Sequence, residues 1–237
     1  MPRKWYEGKV TNIIQESPQT KRFFLELEEE FEFRAGQFIV TDLPIGEKRL
    51  QRWRSYSIAN ISSHKEIELC IVRLGEGAAS NYFHNDIKKG DTVKFKGPEG
   101  TFCLPDTIDH DLVFICTGTG LAPFRSMLLD IMDRNIKHHN IHLIFGTRTQ
   151  NDILYKEELE KLARDNPKFH YHIALSRETY NGYQGYVHDI YMSDEFFVGD
   201  KVHYYICGWS RMIDDAVANL IIKKGIDKKQ VHYELYG

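Results

Sequence analysis

Cysteine is scarce in this 237-residue chain, and the four present are spread apart. Cys70, Cys103, Cys116 and Cys207 have neither the tight spacing of a zinc or iron–sulfur ligand set nor the density of a disulfide framework, so no metal and no disulfides are expected. Also missing is an apolar run near the roughly 20 residues that cross a bilayer. The start of the chain carries Lys4, Glu7 and Lys9 where a secretory signal needs an apolar stretch. These absences predict a cytoplasmic protein with no membrane association. Neither sign of charge dominates: 31 Lys and Arg against 34 Asp and Glu leave a net charge of −3, which gives no general field for nucleic acid. What is present is ordinary for a folded chain, 42% hydrophobic and 27% charged residues, in a length that fits two modest domains.

The rhythm of the sequence changes once. Residues 10–105 show short alternating or β-rich runs at 21–27, 37–43, 67–74 and 92–97, separated by glycine and proline. Many short antiparallel strands are best protected from edge pairing by closing into a small Greek-key barrel. One helix is expected inside it, from Ser80 to about Ile87, with Ser80 as N-cap. After Pro105 apolar strands alternate with helices: 112–116 then 123–135, 141–145 then 154–166, 170–175, and 202–207 then 211–224. That pattern predicts a parallel sheet covered by helices. The expected organisation is an antiparallel β-barrel over residues 1–106 and an α/β nucleotide-binding domain over residues 107–237.

Two segments carry the chemistry. Arg54, Ser55, Tyr56 and Ser57 offer a cation, a flat aromatic ring and hydroxyls, which suit a diphosphate, an isoalloxazine face and a ring nitrogen. Thr117, Gly118, Thr119, Gly120, Leu121, Ala122 and Pro123 follow an apolar strand and open a helix, where bare backbone N–H groups favour a nucleotide diphosphate. Pro123 suits a first helical turn because its missing N–H would be unsatisfied there anyway. Together these segments read as a flavin beside a nicotinamide.

Arg54, Tyr56 and Ser57 resemble the flavin motif of the ferredoxin-NADP reductase family, and further segments follow in that family's order. The resemblance implies that Arg54 holds the flavin phosphates, Tyr56 stacks on the ring and Ser57 hydrogen-bonds the reactive nitrogen. Cys70, Ile71, Val72 and Arg73 resemble the strand lining the flavin, and Gly77, Ala78, Ala79 and Ser80 the helix start facing its second phosphate. For Ser80, helix capping is a compatible reading. In the second domain the resemblance gives Thr117, Gly118, Thr119, Gly120 and Pro123 to the nicotinamide dinucleotide. Arg148 is a phosphate contact or a solvated arginine, and Ser176 with Arg177 matches the family's grip on a 2′-phosphate. Cys207, Gly208 and Met212 resemble the segment beside the nicotinamide, where Cys207 orients rather than attacks. The run 231–237 alternates like a strand with Glu234 and Tyr236 on one face. In plant-type members a carboxylate and an aromatic end the chain in this spacing, so Ser57, Cys207 and Glu234 would orient and Tyr236 would gate.

The resemblance therefore implies a flavin-dependent oxidoreductase that moves hydride between NADPH and bound FAD and passes electrons singly to a ferredoxin or flavodoxin. Glu178, next to Arg177, keeps NADH open. The Gly75–Gly77 loop has no aromatic for an adenine, which keeps FMN open. An NADH-dependent oxygenase reductase, a flavin reductase and a non-catalytic electron-transfer subunit share these motifs. A monomer or weak dimer is expected. His170 and His172 read as alternating strand residues rather than metal ligands, and Lys48, Arg49, Arg52, Lys88 and Lys89 as a basic rim or solvated charge.

Overall fold

The computed structural model describes residues 4–62, 65–179 and 182–236, with Tyr236 described by its backbone. Their contacts divide into two compact units, residues 1–104 with 122–134 and residues 105–121 with 135–237.

The first unit contains β1 (Trp5–Ser17), β2 (Thr20–Leu27), β3 (Phe38–Asp42), the short helix α1 (Arg49–Arg52), β4 (Trp53–Ser57), β5 (Glu66–Val72), α2 (Ala78–Asn85) and β6 (Thr92–Glu99). The strands form one antiparallel sheet in the order β4-β3-β6-β1-β2-β5. A bridge from Ile58 to Leu69 joins its two ends, so the sheet closes into the expected barrel. Aromatic rings fill it: Tyr6 meets Phe31 edge-on at 4.9 Å and stacks on Phe95 at 5.7 Å, while Phe23 meets Phe83 at 5.1 Å. The expected run 67–74 ends as a strand at Val72, and the chain turns off at Arg73. Helix α2 starts two residues before the expected Ser80, with Gly77 in the cap position. Ser80 is therefore inside the first turn rather than at its cap.

The second part of the chain runs β7 (Asp111–Thr117), a 3₁₀ turn (Gly118–Gly120), α3 (Leu121–Asp133), β8 (Ile141–Thr147), α4 (Lys156–Asp165), β9 (Phe169–Leu175), the short β10 (Tyr183–Gln184), α5 (Val187–Tyr191), β11 (Val202–Trp209), α6 (Ser210–Ala218) and β12 (Val231–Tyr236). Its sheet has the order β10-β9-β8-β7-β11-β12, and every pairing is parallel. Strands β7, β8 and β11 are apolar along most of their length, as burial on both faces requires. From β7 the chain proceeds outward through β8 and β9, then returns to place β11 on β7's other side. That reversal puts a topological switch point between β7 and β11, outside whose carboxyl ends ligands of open parallel sheets bind. Helix α3 from Ala122 onward groups with the first unit. Among the described residues no helix is long and apolar enough to cross a membrane, and no group of three or more His, Cys, Asp or Glu could hold a metal.

Candidate functional site

In the barrel unit, β4 pairs with β3 so that Tyr56 lies opposite Ile39 and Ser57 opposite Phe38. The Tyr56 ring is half-buried, edge-on to Phe83 at 5.3 Å. Burial pushes its hydroxyl well above the usual tyrosine range, so the ring stays neutral at any physiological pH. Ser57 is 6% exposed. One guanidinium nitrogen of Arg54 donates to the carbonyls of Leu50 at 2.9 Å and Trp53 at 2.7 Å, which ties the side chain to the α1 segment.

Just beyond Ser57 the backbone is clamped by a buried ionic cluster that sequence reasoning missed. Glu68 of β5, 2% exposed, accepts from Arg22 Nε at 2.6 Å and from Arg125 Nη1 at 2.9 Å. Arg125 Nη1 also donates to the Ala59 carbonyl at 2.7 Å, and Ser126 Oγ donates to the Asn60 carbonyl at 2.7 Å. The Asn60 side chain in turn accepts from the Glu68 amide at 2.8 Å. The signal in the sequence is Arg125, the one charge in the first two turns of α3.

Cys70 and Ile71 are buried in β5, and Val72 ends the strand. The loop that follows is held by its own polar groups. The Leu74 amide donates to Ser80 Oγ at 3.0 Å, the Ser80 hydroxyl donates to the Gly77 carbonyl at 3.0 Å, and Asn81 Nδ2 donates to the Gly75 carbonyl at 3.0 Å. Arg73 Nε donates to Asn81 Oδ1 at 3.2 Å. Ser80 thus shapes the Gly77–Ala79 segment instead of capping the helix.

In the parallel-sheet unit the glycine turn sits at the switch point. Gly118 has a φ of +54°, and a Cβ on Gly120 would lie 2.3 Å from the Cys207 carbonyl oxygen. Close approach of the turn to the end of β11 therefore requires glycine, as tight packing at a dinucleotide-binding turn does. Cys207 is fully buried and lies opposite Cys116 of β7 and Glu234 of β12, so the three share one row across neighbouring parallel strands. Burial pushes the Cys116 thiol up, with Cys207 adding to the effect, which keeps it protonated and inert. Tyr236 ends β12 opposite Trp209; its side chain and Gly237 lie outside the described residues. Met212 is buried in α6 directly after this row.

Two strands away, the ends of β8 and β9 bring the adenosine-side candidates together. The Arg177 amide donates to the Arg148 carbonyl at 3.0 Å and the Ser176 amide to the Thr147 carbonyl at 3.0 Å, with both arginines exposed. Glu178 is occupied elsewhere. Its carboxylate accepts from the Gln150 amide and from Gln150 Nε2, both at 2.8 Å. The residues at hand fit both groups: a half-buried neutral ring beside a buried hydroxyl for a flavin, and a turn with glycine at 118 and 120, with two exposed arginines farther along the same sheet edge, for a nucleotide.

Known proteins agree with this arrangement. Residues 7–103 match the family described as the oxidoreductase FAD-binding domain, and residues 114–218 the oxidoreductase NAD-binding domain. The chain is 32% identical over 243 residues to ferredoxin–NADP reductase B of Sorangium cellulosum (strain So ce56), covering 98% of this chain and 97% of that one. It is 34% identical over 227 residues to the reductase component of phenol 2-monooxygenase from Pseudomonas sp. (strain CF600), covering 93% of this chain and 62% of that protein. The phenol hydroxylase P5 protein of Acinetobacter pittii (strain PHEA-2) is likewise covered over 65% of its length, so the chain spans a little under two thirds of these two relatives. Among solved structures, the FAD/NAD-binding domain of a Vibrio cholerae nitric oxide dioxygenase shares the fold with a TM-score of 0.86 at 22% identity, covering 98% of both chains. An Amycolatopsis cytochrome P450 reductase has a TM-score of 0.88 at 26% identity, covering 99% of this chain and 70% of that one. With residues that match FAD-binding and NAD-binding oxidoreductase domains and a relative matched over nearly its whole length, this chain belongs to the ferredoxin-NADP reductase family.

Proposed function

We propose that the chain takes hydride from NADPH onto a bound FAD and passes electrons singly to a separate acidic carrier protein of the ferredoxin or flavodoxin type. When bound, the flavin supplies the conversion between two-electron and one-electron chemistry. The protein's own contribution is to bind, orient and exclude water. Tyr56 offers its face to the ring, and Ser57 donates a hydrogen bond from a position that burial keeps dry. Arg54 and the Gly77–Ala79 amides receive phosphate, with Ser80 holding that segment in shape. The Thr117–Gly120 turn with Pro123 receives the dinucleotide, and Cys207 with Glu234 forms the wall against which the nicotinamide is oriented.

The observation that carries the choice of NADPH is the pairing of Arg148 with Arg177 beside Ser176, while Glu178 is held by Gln150. Two cations and a hydroxyl suit a 2′-phosphate. A carrier of acidic character is supported by the surface around α1, where Arg49 lies over Trp53 at 3.8 Å and Lys94 over Trp5 at 5.4 Å. Similarity to a phenol 2-monooxygenase reductase component favours a second reading, an NADH-dependent reductase serving an oxygenase.

Purified chain carrying one FAD, bleached by NADPH faster than by NADH and reducing a ferredoxin or flavodoxin in a salt-sensitive manner, is the expected result. Faster bleaching by NADH selects the oxygenase reading, and flavin untouched by either nucleotide defeats both. Ser57→Ala should slow flavin bleaching about 10-fold to 100-fold while leaving nucleotide affinity intact.

A further inference from the structure

Trp209 stands at the carboxyl end of β11 with 54% of its surface exposed, which leaves a large apolar ring in water at the switch point. Its position is fixed by backbone. The Trp209 amide donates to Thr117 Oγ1 at 3.4 Å, and Gly208 before it has a φ of +145°, where a Cβ would lie 2.5 Å from that same Oγ1. The indole nitrogen lies 3.7 Å from the point a Gly118 Cβ would occupy. The ring therefore borders the glycine turn directly, and the absence of a side chain on Gly118 keeps the space between them open.

We propose that Trp209 is the stacking wall for the nicotinamide half of the dinucleotide, recognising a nicotinamide ribonucleotide and indifferent to the 2′-phosphate. The inference rests on the reading that a dinucleotide lies across the Thr117–Gly120 turn. The sheet order β9-β8-β7-β11 separates the Arg177 end from the Trp209 end by three strand steps, about 14 Å at the usual interstrand spacing. A nucleotide whose 2′-phosphate meets Ser176 and Arg177 thus brings its other half to Trp209. Every heteroaromatic ring has a π-face, and tryptophan gives the largest flat surface for it. An exposed ring already ordered by the turn loses little freedom on binding.

The test compares wild type, Trp209→Ala and Trp209→Phe by titration with NADPH, NADH and 2′,5′-ADP, the last lacking the nicotinamide half. Trp209→Ala should weaken NADPH and NADH alike, by about 10-fold. It should leave 2′,5′-ADP within about two-fold, which also shows that the variant is folded, and Trp209→Phe should recover most of the loss. Unchanged NADPH and NADH affinities in Trp209→Ala would overturn the proposal, as would equal weakening of all three ligands without recovery in Trp209→Phe. Wild type that binds none of the three would instead defeat the dinucleotide reading on which the proposal stands.

Discussion

In the barrel unit the backbone beyond Ser57 is held by side chains, with Arg125, Glu68, Arg22, Asn60 and Ser126 meeting around it. In the parallel-sheet unit the glycine turn is held because side chains are missing, with Gly120 pressed on the Cys207 carbonyl and Gly208 on Thr117. The first arrangement is organised by buried charge, which is costly to leave unpaired. The second is organised by close packing of backbone, which tolerates no added atoms. Removing atoms should therefore damage the barrel site, and adding them should damage the nucleotide turn.

The largest expected effect follows from removing the carboxylate at the centre of the cluster. Glu68→Gln removes the carboxylate charge facing Arg125, 6% exposed, and should cost about 3–5 kcal/mol in urea unfolding. The double variant Glu68→Gln with Arg125→Met should be less damaged than the single one. Equal losses in both would break the contrast by showing that the charge itself is not what matters. Next comes addition at the turn. Gly120→Ala should lower nucleotide-driven flavin bleaching about 100-fold, with flavin content unchanged, because a displacement of about 1 Å at a binding turn has that scale of effect. A Gly120→Ala protein with normal NADPH kinetics would show that the contact with Cys207 is not needed.

An acid titration sharpens the comparison, because one part of the parallel-sheet unit does depend on side chains. His142 Nδ1 and His172 Nε2 lie 3.2 Å apart, and the His142 and His170 rings stack at 4.6 Å. Burial, with the neighbouring imidazoles adding to it, lowers both His142 and His172 from 6.5 to about 4. Between those values the unfolded chain binds protons that the folded chain refuses. The stabilising effect is complete above pH 6.5 and falls as pH drops through the window, by up to about 1.4 kcal/mol per pH unit for each histidine. Urea midpoints at pH 7.5 and pH 5 should differ in wild type and converge in a His142→Gln, His172→Gln variant; a difference that survives the variant would assign the acid sensitivity elsewhere. The smallest effect is at the exposed cations. Arg177→Ala should reduce the NADPH/NADH ratio of kcat/KM about 10-fold with no change in stability, and an unchanged ratio would remove Arg177 from nucleotide choice.

Much of the architecture was legible because burial writes itself into strands. The apolar runs at 112–116, 141–145 and 202–207 reappear inside β7, β8 and β11, and the expected terminal strand reappears as β12 over 231–236. The first strand escaped notice because bulges between Val10 and Asn12 and between Gln15 and Ser17 break its period-two pattern. Helices α1 and α5 are too short, at four and five residues, to show a helical period. Ser80 looked like a cap because serine after glycine and alanine fits that role, yet its hydroxyl bonds back to the Gly77 carbonyl one turn earlier. The motifs drew attention to Arg54, Tyr56 and the glycine turn, whereas the Glu68 and Arg125 pair is 57 residues apart in sequence and belongs to no local pattern. Glu178, which keeps NADH open in the sequence, is engaged by Gln150, a contact 28 residues away that no local pattern announces.

Helix α3 is encoded after the first strand of the parallel sheet, yet from Ala122 onward it packs with the barrel, where Phe124 meets Phe102 at 5.7 Å. A linear cut near residue 106 would hence strip Glu68 and the Ala59 carbonyl of Arg125 and bare one side of Phe102. Shuffling halves between relatives to trade one nucleotide preference for another should succeed only when residues 122–134 travel with the barrel donor, making this protein a graft with three junctions instead of one.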